Sequence, residues 1–152
     1  MTPTQYSPAS TVLLFCSLVG CSNAPAPLQP AQPTPVVRHI LFVGDSYTHG
    51  RYLPVRTYNS TPGTGGLGST TASAQVVDEN FNTSVPARQE SEPGETGPWG
   101  GIPGIFAEFA NEAGLAYDVH IEAISATTLK TNYKAASQII AQPLWNAVVL
   151  QE

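Results

Sequence analysis

The chain is short of charge, of cysteine and of long apolar runs, and each shortage excludes a class of function. Only 11% of its 152 residues are charged, with six Lys and Arg against eleven Asp and Glu. The net charge is −5 and the basic residues never cluster, so nothing here neutralises a row of phosphates and no nucleic-acid partner is expected. The two cysteines, Cys16 and Cys21, both lie near the N-terminus, so neither can staple a domain further along. There is no CxxC, no HxxxH, and the three histidines are isolated, so neither a metal nor a cofactor is implied. No stretch approaches the roughly 20 apolar residues that a membrane-spanning helix needs. What is present is a 41% hydrophobic composition, enough for one domain with a buried core.

The first residues read as an address. Thr11 to Val19 (TVLLFCSLV) form an apolar segment too short to span a bilayer and placed where a secretion signal belongs. Leu18-Val19-Gly20-Cys21 follows, and it resembles the bacterial lipobox, in which small residues precede a cysteine that becomes the lipidated mature N-terminus. The segment before it, MTPTQYSPAS, departs from a signal in having no Lys or Arg. The alternative is an ordinary secretory signal cut after Ala26. Residues 22–35 (SNAPAPLQPAQPTP) carry proline every two or three positions, which makes an extended, semi-rigid tether. The expected organisation is a signal over 1–20, a lipidated Cys21 with its tether to 35, and a domain from 36 to 152. That places the protein in a bacterial cell envelope, held to a membrane through Cys21, or secreted.

Within the domain, Val36 to Val43 (VVRHILFV) is a mostly apolar run between Pro35 and Gly44, a strand buried on both faces. Residues 49–101 lack periodicity and are rich in Gly, Ser, Thr and Pro, so a mobile loop over about 50–98 is expected, with a flap over the site as the sharper alternative. Glu90, Glu92 and Glu95 read as a solvated face. Pro103 suits the first turn of a helix whose Ile102, Ile105, Phe106, Phe109, Ala110 and Ala113 recur at helical spacing, and Gly114 stops it. Tyr117 to Ile124 alternates as a second strand. Ser125-Ala126-Thr127-Thr128 is a turn whose Thr caps a second helix with Leu129, Tyr133, Ala136 and Ile140 on one face. Pro143 ends that helix, and Ala147 to Leu150 reads as a third buried strand. Strand, helix, strand, helix, strand is the order of an α/β parallel sheet. Three strands leave an apolar edge open, so further sequence downstream is expected.

Ligands of open α/β sheets bind beyond the carboxyl ends of the strands, where strand order reverses. Gly44-Asp45-Ser46 stands at such an end. A serine there can attack a carbonyl while its own N–H stabilises the oxyanion. A capping serine in an ordinary turn is the bland reading of the same triplet. Tyr47 and Trp99 are candidate pocket walls, with ordinary packing an equal reading. Asp45 is expected to fix the turn. His39, His49 and His120 are poorly placed to act as a base for Ser46.

Phe42-Val43-Gly44-Asp45-Ser46-Tyr47-Thr48 resembles the first sequence block of the SGNH, or GDSL, hydrolases. Ile102-Pro103-Gly104-Ile105-Phe106-Ala107-Glu108 is similar to the first long helix of a bacterial branch of that family. Ala123 to Leu129 falls where the second block lies, and Trp145 to Glu152 (WNAVVLQE) resembles the strand leading into the third. The resemblance implies a flavodoxin-like three-layer α/β/α fold, of which the first three strands are present. It implies a serine ester hydrolase acting on a small-molecule or glycan ester, with Ser46 as nucleophile and Ser46, Ala126 and Gln151 around the oxyanion. The family has glycine where Ala126 stands, so the question is whether alanine takes the angles glycine takes. It has asparagine in the third block, where Gln151 and Glu152 stand. Its Asp-x-x-His has no counterpart here. The rival reading is a non-catalytic truncated or degenerate envelope lipoprotein that binds glycans, and a third is a phosphate-binding module using Ser46 and Thr48.

Overall fold

The structure, a computed structural model, describes residues 35–62, 75–81, 85–89 and 94–152. The expected signal, Cys21 and nearly all of the tether lie outside these residues. Among the described residues no helix is long and apolar enough to cross a membrane.

The chain builds a parallel α/β sheet from Arg38–Gly44 (β1), Ser60–Pro62 (β2), Val76–Asp78 (β3), Tyr117–Ala123 (β4) and Ala147–Leu150 (β5), in the order β2-β3-β4-β1-β5. Its helices are Ser46–His49 (α1), Gly101–Glu112 (α2) and Leu129–Ile140 (α3). β1 pairs with β4 from Arg38 opposite Tyr117 to Gly44 opposite Ala123, and with β5 from Ile40 opposite Ala147 to Val43 opposite Leu150. The expectation of three strands and a loop over 50–98 is therefore corrected. β2 and β3 come from that segment and extend the sheet beyond β4. At three residues each they are too short for a period-two pattern to register. They are strands because a neighbouring strand completes their backbone hydrogen bonds.

One face of the sheet is apolar. Ile40, Phe42, Val76, Val119, Ile121 and Ala123 pack with Trp99 and Ala107, and Phe106 from α2 lies between the rings of Phe42 and Tyr117 at centroid distances of 5.5 and 5.1 Å. The α2 face differs from the expected one. Gly101, Pro103, Gly104, Ala107 and Ala110 are buried, while Ile102 and Phe109 point to solvent, Phe109 at 65% exposure. The cause is close approach. A Cβ on Gly104 would stand 2.2 Å from the Tyr58 carbonyl oxygen, and one on Gly101 2.2 Å from that of Thr48. Small residues let α2 press onto the 48–58 backbone, which leaves Ile102 and Phe109 facing outward.

The other face is a buried polar layer. β4 turns Asp118, His120 and Glu122 toward it, opposite His39, Leu41 and Val43 of β1. Asp118 Oδ2 lies 2.8 Å from His39 Nδ1 and 3.0 Å from His120 Nε2, and His120 Nδ1 lies 2.7 Å from Glu79 Oε1. The Arg88 guanidinium donates to both Glu122 carboxylate oxygens, from Nε to Oε1 at 3.3 Å and from Nη2 to Oε2 at 2.6 Å, and its Nη2 also donates to the Glu79 carbonyl. Trp145 sets its edge against His120 at 5.0 Å. Buried charges persist only when paired, and here each carboxylate has its own donor.

α3 starts at Thr128, whose hydroxyl accepts from Thr131 N, as a capping threonine should. Its buried residues are Asn132 and Ala136. Leu129, Tyr133 and Ile140, expected in the core, instead line an open apolar groove of about 530 Å³ with Val43, Val148 and Leu150. β5 differs too. It lies at the sheet edge and all four of its residues are exposed, Leu150 at 60%.

Candidate active site

The site forms where β1 ends. Gly44 is followed by Asp45, the N-cap of α1, whose carboxylate accepts from Tyr47 N at 2.9 Å. The Asp45 carbonyl accepts from Thr48 N at 3.0 Å and His49 N at 3.3 Å, which closes the turn. Asp45 therefore shapes the backbone, as its position suggested. A Cβ on Gly44 would meet Thr48 Oγ1 at 2.0 Å and Gln151 Oε1 at 2.9 Å. Glycine is required there by space.

Ser46 opens α1 and is partly exposed. Neither its hydroxyl nor its N–H has a hydrogen-bond partner among the described residues. β4 runs beside β1, so Ile124 N donates to the Gly44 carbonyl at 3.1 Å and the Ser125–Thr128 turn rises next to Ser46. In that turn Ala126 has φ +56°, the left-handed region that glycine adopts freely. Alanine does take glycine's angles here. Ala126 is exposed and its N–H has no described partner.

Gln151 arrives from the far side of β1. Its N–H donates to the Val43 carbonyl at 3.0 Å, and its Oε1 accepts from Thr48 Oγ1 at 2.7 Å, which leaves its Nε2 without a described partner. Ser46, Ala126 and Gln151 are thus brought to one end of the sheet, on three successive strand ends. Thr48 is buried and its hydroxyl is engaged by Gln151, which takes it away from the phosphate-binding arrangement.

The three imidazoles lie elsewhere. His39 and His120 belong to the polar layer around Asp118. His49 is fully buried, stacked on Trp99 at 4.3 Å, with Nε2 2.8 Å from Ser125 Oγ. Trp99, a candidate pocket wall, is 1% exposed and belongs to the core, whereas Tyr47 is 78% exposed. Glu95, expected on a solvated face, is buried. It accepts from Ser125 Oγ and pairs with Arg51 Nε at 2.7 Å. Glu90 and Glu92 lie outside the described residues.

No family model, curated protein or solved structure matches this chain.

Several groups carry shifted acidities. Burial pushes the Asp78 carboxyl up to about 6, against the N–H groups of Trp99 and Asn80 that favour its ionised form. Burial likewise raises Glu122 to about 7 despite Arg88. His120 is lowered by burial, but Asp118 and Glu79 outweigh that and hold it at about 9. Burial also opposes ionisation of Asp118, yet hydrogen bonds from His120 and His39 bring its carboxyl below the usual range. None of these groups adjoins Ser46 in sequence, and their shifts bear on stability first.

Three further residues support the site, and the sequence reading assigned none of them that role. Asn132 is buried in α3, where its Nδ2 donates to the Gly44 carbonyl at 2.7 Å and its Oδ1 accepts from Thr127 Oγ1 at 3.0 Å. Its spacing from Leu129 and Ala136 put it on the inner side of the helix, which was the available signal. Ser125 and Glu95 gave none, because each sits in a stretch without period.

Proposed function

We propose that this chain is the nucleophile-bearing part of an SGNH-type serine ester hydrolase with a flavodoxin-like core. The observation that carries the reading is Ser46 at the end of β1, its hydroxyl and N–H without a partner among the described residues, with the left-handed Ala126 in the turn after the neighbouring strand β4. Ser46 Oγ would attack the ester carbonyl. The oxyanion that develops would be met by the N–H groups of Ser46 and Ala126 and by Gln151 Nε2. The alcohol leaves with a proton, and water then releases the acid from the acyl-serine. A serine hydroxyl is a weak nucleophile until a base takes its proton. The described contacts of the three imidazoles go to Asp118, Glu79, Ser125 and the Gly50 carbonyl and none to Ser46, so this reading assigns no base among the described residues. The substrate class is an ester of a small molecule or glycan. The lipobox-like Leu18-Val19-Gly20-Cys21 supports an envelope location, with Cys21 as membrane anchor.

The same engagement of the imidazoles favours, as second reading, a non-catalytic lipoprotein that keeps the sheet and binds glycans. Labelling separates the two. A fluorophosphonate should attach slowly to Ser46, and Ser46→Ala should lose the label while its unfolding curve stays unchanged. Absence of label at Ser46 in the parent chain, or label that persists in Ser46→Ala, rejects the hydrolase reading.

A further inference from the structure

We propose that Ser125, gripped between His49 and Glu95, is a positioning residue that holds Ala126 in its left-handed conformation and so sets the second oxyanion donor. The conformational half of this stands alone, and the catalytic half rests on the hydrolase reading.

The starting point is strain. An L-residue at φ +56° pays a cost that glycine does not. Such a residue persists only where its surroundings over-determine it. Ala126 itself offers no grip, since it is exposed and its N–H has no described partner. Its neighbours do. Ser125 is buried, and its hydroxyl donates to Glu95 Oε2. Ser125 Oγ also lies 2.8 Å from His49 Nε2, whose ring holds its Nδ1 3.3 Å from the Gly50 carbonyl oxygen. Both partners are fixed in turn. Glu95 is held through its carboxylate by Arg51 and through its carbonyl by Trp99 Nε1 at 2.9 Å, and the His49 ring stacks on Trp99 at an interplanar angle of 14°. On the other side of Ala126, Thr127 Oγ1 donates to the Ile124 carbonyl at 2.7 Å and meets Asn132 Oδ1. The turn is pinned at Ser125 and at Thr127, and the residue between them takes the strained angle.

The grip joins three separate pieces of chain to one turn. His49 ends α1, three residues after Ser46. Glu95 and Trp99 come from the segment before α2. Ser125 immediately precedes the donor. The nucleophile's helix and the donor's turn are therefore indexed to each other through one hydroxyl. Ser125 does not act as a nucleophile in this arrangement, because its proton is directed to Glu95 and its oxygen is buried.

The test uses the 152-residue chain and reads conformation and reactivity separately. A positive φ gives a strong intraresidue NOE between the amide proton and Hα. Ala126 should show it in the parent chain, lose strength in Ser125→Ala and Glu95→Leu, and keep it in Glu95→Gln, whose side chain still accepts. Fluorophosphonate labelling of Ser46 should slow roughly tenfold in Ser125→Ala, the left-handed cost of one alanine expressed as a rate. The Ser125→Ala/Ala126→Gly double variant should recover most of that rate without recovering stability, because glycine needs no grip to adopt the angle. A purely structural Ser125 would give no such split. An unchanged Ala126 NOE in Ser125→Ala and Glu95→Leu overturns the proposal, as does a double variant that labels no faster than Ser125→Ala. If the NOE responds while the parent chain takes no label, the positioning stands and the hydrolase reading falls.

Discussion

Replacing His120 with glutamine removes the imidazole that joins Asp118 to Glu79, and the effect on stability should depend on pH in a defined direction. All three side chains are at most 3% exposed, with contacts of 2.7 Å to Glu79 and 3.0 Å to Asp118. Without His120 the Asp118 carboxylate keeps only His39, 2.8 Å from Oδ2, because its Oδ1 has no hydrogen-bond partner among the described residues. The two carboxylates hold His120 at about 9 against an ordinary 6.5. Between those values the native state keeps a proton that the unfolded chain has released. The stabilisation is therefore complete below pH 6.5 and disappears as pH rises through 9. At about 1.4 kcal/mol per pH unit, a lone group would contribute roughly 3 kcal/mol. Asp118 is in direct contact with His120 and its own acidity is coupled to it, so about 2–3 kcal/mol is the expected size. Removing one member of a buried charge pair costs about 3–5 kcal/mol. His120→Gln should thus be less stable than the parent by that amount at pH 6, and the gap should narrow by about 2–3 kcal/mol at pH 9.5. Urea unfolding at constant ionic strength, followed by tryptophan fluorescence, measures both. A gap that stays constant or widens with pH refutes the reasoning. If the variant does not fold at pH 6, the parent's own loss of stability between pH 6.5 and 9.5 decides the matter.

Three other outcomes follow, two from the site and one from the lipobox-like sequence. Gly44→Ala should cost about 1–3 kcal/mol or more, because the added methyl meets Thr48 Oγ1 and Gln151 Oε1, and a thermal melt within 1 °C of the parent would contradict the close approach. The purified chain should turn over p-nitrophenyl acetate barely at all, since loss of a triad member leaves only on the order of 10³–10⁴-fold acceleration over water. Robust turnover that Ser46→Ala abolishes would place a base within these residues, with His49 the first to test. Intact mass spectrometry of the membrane fraction should find acyl chains on Cys21 as the first residue, and a soluble product starting further along would remove the lipid anchor.

The long elements were legible and the short ones were not. β1, β4, α2 and α3 each carry a period or an apolar run, together with a marker such as Pro103, Gly114 or Thr128 that fixes an end. β2 and β3 carry neither, and only their neighbour makes them strands. Which side of a helix is buried was read less well than the helix itself. In α2 the expected apolar stripe lost to Gly101, Gly104 and Ala107, because bringing two backbones together can bury more of the molecule than turning two large side chains inward. The alternation from Tyr117 to Ile124 reads as a strand but does not tell what meets its charged face. The charged face is dry because Arg88, Asn80 and Glu79 come from the aperiodic segment to meet it.

The candidate site divides along the same line. Gly44-Asp45-Ser46 was readable because a triplet at the end of a buried strand has one place to go in a parallel sheet. Ala126 was readable only as a question about backbone angles, and the answer lay in residues that no local pattern marks. A left-handed alanine is a cost at one position, and the structure meets it with contacts distributed over His49, Glu95, Trp99 and Asn132. Those contacts span from residue 49 to residue 132, so no window of sequence could contain them. The same span explains why the aperiodic segment cannot be a mere spacer. It supplies β2 and β3 to the sheet, Arg88 and Glu79 to the polar layer, and Glu95 and Trp99 to the turn beside Ser46. Deleting it would strip the buried Glu122 carboxyl of Arg88 and Asn80 as surely as it would release Ala126, which ties the stability of the sheet and the geometry of the site to one stretch of chain.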